Sequence, residues 1–347
     1  MKSHKPITIV GGGLAGLTLG IGLRQKQIPT TVIEASRYPR HRVCGEFICG
    51  RGHEALRQLG LDSLLGRIGA LDSQTVRFQA ASVDSPIRRL PARAVSISRF
   101  ALDAALAEKF RELGGELQQD YRWRSTDFEA GVVRATGRRL RPPKSGSEAR
   151  WLGLKIHALN VRLAADLEIH LAPNGYVGIC RLPNGEVNVC GLFRLAAESN
   201  VKASHPRSLL FGSPHSVLHQ RLSHAQFDEN SFCSVAGLAL EPVPARPDEC
   251  CVGDALTMIP PLTGNGMSIA FESARLAVEP LVVYSEGSLS WAEVRAVMAR
   301  QYRATFSSRL KWAKWLHWFL FSRLFAALGP PALRSELVWN TLFRHTR

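Results

Sequence analysis

Apolar residues along this chain recur with two periods, and the changes of period mark its elements. Ile7-Thr8-Ile9-Val10 is a short β-branched run, which predicts a buried parallel strand. From Leu14 to about Gln25 the apolar positions fall at helical spacing, and Thr30-Thr31-Val32-Ile33 reads as a second strand. Helical spacing returns over 51–65 and over 99–113. In the latter, Phe100, Leu102, Ala105, Leu106 and Phe110 share one side and Gly114-Gly115 supplies the cap. Between these helices, 66–98 alternates as strands do, for instance from Gln74 to Phe78. A core strand is expected over 131–137, then a basic loop over 138–150. From 151 to 195 the alternation is broken at Pro173-Asn174-Gly175 and Pro183-Asn184-Gly185, which predicts an antiparallel sheet. The stretch 201–235 reads as mixed, with a helix near 216–223. A strand ending at Gly253-Asp254, a long helix from about Met267 and a helical tail from Ser290 complete the pattern.

These elements predict an α/β architecture: a Rossmann-like dinucleotide-binding lobe, a second lobe built on an antiparallel sheet for substrate, and C-terminal helices. The first lobe is discontinuous, drawn from 1–65, 97–140 and 245–285. The second takes 66–96 and 150–244, and 286–347 forms the helical segment. At 347 residues the chain is long enough to hold two lobes. Its seven cysteines show neither a CxxC pair nor Cys/His ligand spacing. That argues against a zinc site or a disulfide framework and for a reducing, cytoplasmic setting. No apolar run reaches the roughly eighteen residues needed to cross a bilayer. The formal charge of +15 is concentrated at one end, where from residue 295 onward ten Lys/Arg accompany a single acid, Glu336. No nucleic-acid module goes with it, so nucleic acid is not the expected partner. Trp312, Trp315, Trp318, Phe319 and Phe321 are interleaved with those basic residues. Such a segment suits either helices packed on the domain with solvated arginines or peripheral contact with an anionic membrane.

The chemistry begins at the first strand. Gly11-x-Gly13-x-x-Gly16 follows it directly, and Glu34 closes the second strand. Gly11 permits the tight turn, Gly13 lets the backbone approach a pyrophosphate, and Gly16 allows close helix–strand packing. The free amides of the helix opening at Leu14-Ala15 would face the phosphates. Glu34 sits where an acidic side chain accepts the hydroxyls of an adenosine ribose. Late in the chain Gly253-Asp254 repeats this logic with a carboxylate at a strand's end. Pro260-Pro261 then leads to Gly264-Asn265-Gly266 and the helix from Met267, whose N-terminus would face whatever is bound.

Taken with Arg99-x-x-Leu102-Asp103, this set resembles the FAD-dependent superfamily typified by p-hydroxybenzoate hydroxylase. Within it, Val43-Cys44-Gly45-Glu46-Phe47 and Gly175-Tyr176-Val177-Gly178 with Val187-Asn188-Val189-Cys190-Gly191 resemble the geranylgeranyl-reductase-like branch. The resemblance covers roughly residues 5–345 and implies FAD held between the first and last thirds of the chain. Glu34 would bind the adenosine ribose, with Gly11, Gly13, Leu14, Ala15 and Gly16 along the pyrophosphate. Arg99 would lie near the pyrophosphate or ribitol, Arg42 would add a contact, and Gly253 and Asp254 would meet the ribitol. Pro261, Gly264, Asn265, Gly266 and Met267 would lie by the flavin ring.

The resemblance also implies NAD(P)H as external electron donor. No second GxGxxG is present for it, and the superfamily's Asp-Gly pair is replaced by Thr136-Gly137-Arg138. Cys44 is expected near the reactive face of the flavin and Glu46 as a proton relay. Their alternatives are a small buried hydrophobe and a loop brace. Tyr176 and His170 fall on the substrate sheet, where packing is the simpler role for each.

The implied activity is that of an oxidoreductase acting on a hydrophobic small molecule, isoprenoid- or polyketide-like. Two reactions stay open: reduction of a C=C bond by flavin hydride, and hydroxylation through a C4a-hydroperoxyflavin. A non-catalytic flavin-binding protein is a third reading. The Trp-x-Trp-x-Ile-Pro stretch of flavin halogenases and a counterpart of their lysine are missing, which argues against halogenation.

Overall fold

The computed structural model describes residues 4–80, 83–125, 128–138, 150–172, 174–195, 206–238, 248–257, 265–322, 334–336 and 338–341. The first third contains β1 (Ile7–Val10), α1 (Leu14–Gln25), β2 (Thr30–Ile33), β3 (Phe47–Cys49), α2 (Gly50–Gln58), α3 (Asp62–Arg67), β4 (Leu71–Ala80), β5 (Val83–Asp84), β6 (Arg88–Ser96) and α4 (Arg99–Glu112). Then follow β7 (Glu116–Gln118), β8 (Val132–Arg134), β9 (Arg150–Leu159), β10 (Leu167–Ala172), β11 (Gly175–Arg181) and β12 (Val187–Leu195). The last third holds α5 (Val217–Leu222), β13 (Gln226–Leu238), β14 (Cys250–Cys251), α6 (Gly266–Ser285) and α7 (Trp291–Leu320).

Two sheets result. The first is parallel, in the order β14-β8-β1-β2-β7, and the chain's two ends meet in it because β14 pairs with β8, which pairs with β1. Helix α1 lies buried from Leu14 to Leu23, between α4 and α6, so its apolar side chains find core on every side. The main core gathers Ile7, Ile9, Leu17, Ile21, Phe110 and Phe271 from these layers.

The second sheet runs β13-β9-β12-β11-β10-β4-β6-β3, with β5 on β4. Both turn signals of the 151–195 stretch hold: β10 and β11 pair antiparallel, as do β11 and β12. The expected antiparallel sheet is nevertheless mixed, since β4 and β10 run parallel. The chain leaves the sheet after β6, builds much of the first lobe and re-enters at β9, so two strands distant in sequence become neighbours.

Two further expectations change. The helix expected over 51–65 is two helices, α2 and α3, because Gly60 turns with φ +67° between Leu59 and Leu61. The stretch read as mixed contains β13, thirteen residues long, pairing β9 with shifts of register. Its polar Asp228, Glu229 and Asn230 belong to an edge strand, which needs no alternation.

Candidate functional site

One cavity of about 850 Å³ runs from the β1–α1 turn to the end of α7. Of the residues nominated by sequence, Gly11, Gly13, Leu14, Ala15, Glu34, Arg42, Cys44, Glu46, Arg99, Gly253, Asp254, Gly266 and Met267 line it. Pro261 and Gly264 lie outside the described residues. Gly16 and Asn265 are not on its wall. A Cβ on Gly16 would come within 1.9 Å of the Gly11 carbonyl oxygen, so this position serves helix–strand contact. Asn265 is buried at the N-terminus of α6 and its side-chain oxygen accepts the Cys49 thiol at 2.9 Å.

The end of the cavity at the β1–α1 turn is built by backbone demands. Gly11 turns at φ +111°, and a Cβ there would meet the Ala135 carbonyl oxygen at 2.3 Å. Gly13 has open space where a Cβ would stand, and it begins α1 without a side-chain cap. Gly266 is equally open, and α6 also starts uncapped. Two helix N-termini thus border one cavity with bare amides, the arrangement that receives phosphate and other negative charge. Glu34 accepts the Gly12 amide at 2.9 Å and the Ser36 amide at 3.0 Å, and pairs with Arg40 at 2.7 Å. Tyr38 donates its hydroxyl to the Gly12 carbonyl and braces the same turn.

Arginines come next. Arg99 forks onto both oxygens of Asp103, at 2.7 and 2.8 Å, and Asp103 is fully buried. Arg42 stands between Asp103 at 3.6 Å and Glu34 at 3.8 Å. Arg138, where the superfamily's Asp-Gly pair would end, lies 3.9 Å from Asp254 and so adds a cation at that side of the cavity. Burial raises the Asp254 carboxyl above its ordinary value.

Glu46 occupies the turn into β3. It accepts the Arg99 amide at 2.9 Å and sits 2.7 Å from His157 Nε2 and 3.5 Å from Lys155 Nζ. Burial alone would raise its carboxyl, but the His157 hydrogen bond and the Lys155 charge outweigh it and hold the group low. It is an ionised brace in the resting protein. Cys44 behaves differently: burial raises its thiol, although Arg99 beside it pulls the other way. A raised thiol stays protonated, so Cys44 is not an activated nucleophile.

Beyond these residues the cavity turns apolar. Phe78, Leu167, Ile169 and Leu192 from the second sheet face Leu316 and Phe319 of α7 across it. Tyr176 joins this wall. His170 does not, because alternation turns it to the other face of β10, where it bonds Glu168 at 3.2 Å.

Residues 4–152 match the family described as FAD binding domain. The chain is an FAD-dependent oxidoreductase. It is similar to the menaquinone reductase of Mycobacterium tuberculosis (strain ATCC 25618 / H37Rv), 23% identical over 97% of this chain and 90% of that protein. A shorter segment, 32% of this chain and 25% of the relative, is 39% identical to kynurenine 3-monooxygenase of Dictyostelium discoideum. Among solved structures, the flavin-dependent brominase Bmp2 superposes with a TM-score of 0.73 at 17% identity, over 99% of this chain and 95% of that one. At that identity the likeness speaks for the fold.

The open amides of Gly13 and Gly266, the acidic Glu34 and the half-buried Asp254 fit the groups of FAD. In this oxidoreductase Glu34 and the β1–α1 turn would hold the adenosine and pyrophosphate, and the α6 N-terminus the isoalloxazine edge. Sequence reasoning missed Tyr38 as a brace and the buried pair Lys155 and His157. It also missed Val338 and Trp339, which close the far wall. A strand reading Leu154-Lys155-Ile156-His157 carried a signal only for alternation, and alternation says nothing of what covers the second face.

Proposed function

We propose that this oxidoreductase reduces a carbon–carbon double bond in a bulky lipophilic molecule, isoprenoid- or polyketide-like, with NAD(P)H as electron donor. What carries the proposal is the joining of the dinucleotide end to an apolar chamber whose wall offers few polar groups: the Cys190 side chain and the Tyr176 phenol on the sheet, and Cys44 in the turn before β3. Such walls bind by excluding water from apolar surface and select for bulk rather than for hydrogen-bonding pattern. The full-length likeness to a reductase of a lipophilic quinone supports the same substrate class.

When bound, FAD supplies the hydride. The chain's own residues exclude water, orient the substrate and furnish a proton to the carbon beside the one that receives hydride. Cys44 is the donor we assign, since burial keeps its sulfur protonated and the Arg99 guanidinium beside it favours the thiolate left after transfer. Glu46 acts through position: it fixes the turn that carries Cys44 and the amide of Arg99. Its tie to His157, which lies 3.7 Å from the half-exposed Glu186, gives that turn a polar connection toward solvent.

Hydroxylation is the second reading, favoured by the apolar chamber and by the segment similar to kynurenine 3-monooxygenase. Anaerobic turnover separates the two. A reductase with added NAD(P)H converts substrate without O₂ and its product gains two hydrogens. A hydroxylase stops without O₂, and in air its product carries oxygen derived from it.

A further inference from the structure

The end of α7 presents two unlike faces. Leu316, Phe319 and Leu320 look into the apolar chamber, and Ala313 is fully buried beneath them. The outward face carries Lys311, Lys314, Trp315 and Trp318, all exposed, at the i, i+3, i+4, i+7 spacing of a single helix stripe. Trp315 and Trp318 are 47% and 58% exposed, a large apolar area to leave in water. Trp315 belongs to both sides: it stacks on Phe319 with centroids 5.6 Å apart, and it lines the chamber. The outer stripe is therefore continuous with the chamber's wall.

Charge narrows the choice of occupant. Arg300 and Arg303 extend the cationic stripe toward the helix start, and the helix's single acid, Glu293, lies in its first turn. A second copy of the chain, meeting this face with the same face, would bring like charges together. Tryptophan with lysine suits instead the boundary of an anionic bilayer, where the indole ring sits among acyl chains and headgroups and the ammonium meets phosphate. Among the described residues no helix is long and apolar enough to cross a membrane, so contact of this kind is peripheral.

We propose that the outward stripe of α7 docks the protein on an anionic lipid surface and sets the apolar chamber against the bilayer, so that a lipid-soluble substrate passes between them without crossing water. The inference goes beyond the reaction and holds for reduction and hydroxylation alike.

The test uses the full chain loaded with FAD, sedimented with vesicles of phosphatidylcholine alone and with vesicles containing an equal share of phosphatidylglycerol. The expected result is binding to the anionic vesicles, weakened by salt, with tryptophan emission shifted to the blue. Trp318→Ser, and Lys311→Glu with Lys314→Glu, each lower that binding roughly tenfold or more, as expected when interfacial lysines and a tryptophan anchor are lost. Trp318 is not on the chamber wall, so its variant keeps its flavin and its turnover of a detergent-dispersed substrate. Equal sedimentation of variants and parent overturns the proposal, as does failure of the parent to bind. A dimer that shields Trp318 from a quencher in the absence of vesicles overturns it too, and assigns the stripe to a protein contact. Absence of turnover in the parent with vesicle binding intact refutes the proposed reaction and leaves the docking standing.

Discussion

Replacing Glu46 by Gln removes one negative charge from a place where water cannot take over. Glu46 and Lys155 are both wholly buried, and the carboxylate oxygens already serve the Arg99 amide, His157 and Lys155. Gln keeps the shape and one acceptor, but the Lys155 ammonium loses its counter-charge. Breaking a buried ion pair from one side costs about 3–5 kcal/mol, and the retained hydrogen bond argues for the lower end. With a urea slope on the order of 3 kcal/mol/M, the unfolding midpoint at neutral pH falls by about 1 M. Acid supplies an independent check. The Glu46 carboxyl is held below its ordinary value of 4.5, so its contribution is complete above that pH and is lost as pH falls through the folded-state value. The gap between parent and variant therefore narrows below pH 4.5. Adding Lys155→Met to the Gln variant restores part of the loss, because the uncompensated charge leaves with it. Tryptophan emission and far-ultraviolet circular dichroism of the flavin-free protein follow all three. A shift smaller than about 0.2 M, a gap that persists unchanged into acid, or a further loss on adding Lys155→Met refutes the reasoning.

Other residues give shorter tests. Gly16→Ala puts a Cβ 1.9 Å from the Gly11 carbonyl oxygen, so the purified variant lacks visible flavin absorbance and does not recover it with added FAD. Glu34→Gln weakens FAD by roughly tenfold in a fluorescence titration, since a charge-assisted acceptor becomes a neutral one. His41 stacks on Phe100 at 4.5 Å, and burial, with Lys155 nearby, lowers its ring to about 4. Its neutral form is the folded one, so stability falls as pH drops from 6.5 toward 4. His41→Phe removes this residue's share of that slope in urea titrations, while His317, also lowered to about 4, keeps its own. At pH 8 the variant is less stable too, because the buried Lys155 Nζ loses the His41 Nδ1 partner it has at 3.0 Å.

What could be read in the sequence divides by physical cause. The β1–α1 turn was legible because backbone constraints act within a few residues: Gly11 is required by its φ and Gly16 by a carbonyl five residues away. The hairpins around Asn174-Gly175 and Asn184-Gly185 were legible for the same reason, as local turn chemistry with alternating flanks. The break between α2 and α3 falls at Gly60, while the helical spacing on either side reads as one helix. The parallel pairing of β4 with β10 was not legible, since it depends on where a long excursion through the other lobe returns.

The site shows the same division at higher stakes. Each residue proposed to meet the cofactor sits in a recognisable frame: an acid after β2, a Gly-Asp pair after β14, an open helix start at Gly266. The chamber for substrate has no such frame. Its walls come from β4, β10, β11, β12, α7 and the stretch containing Trp339; α7 contributes Trp315, Leu316, Phe319 and Leu320, and each of the others one or two ordinary side chains. Lys155 is the sharpest instance. On β9 it reads as a solvent-facing lysine between Leu154 and Ile156, yet it is wholly buried because the turn carrying Glu46 covers that face. A charge placed there is tolerable only with its partner present, so the two positions constrain each other although more than a hundred residues separate them. Reading either alone gives a loop brace or a surface lysine. Reading the pair explains why the turn bearing Cys44 is held against the second sheet.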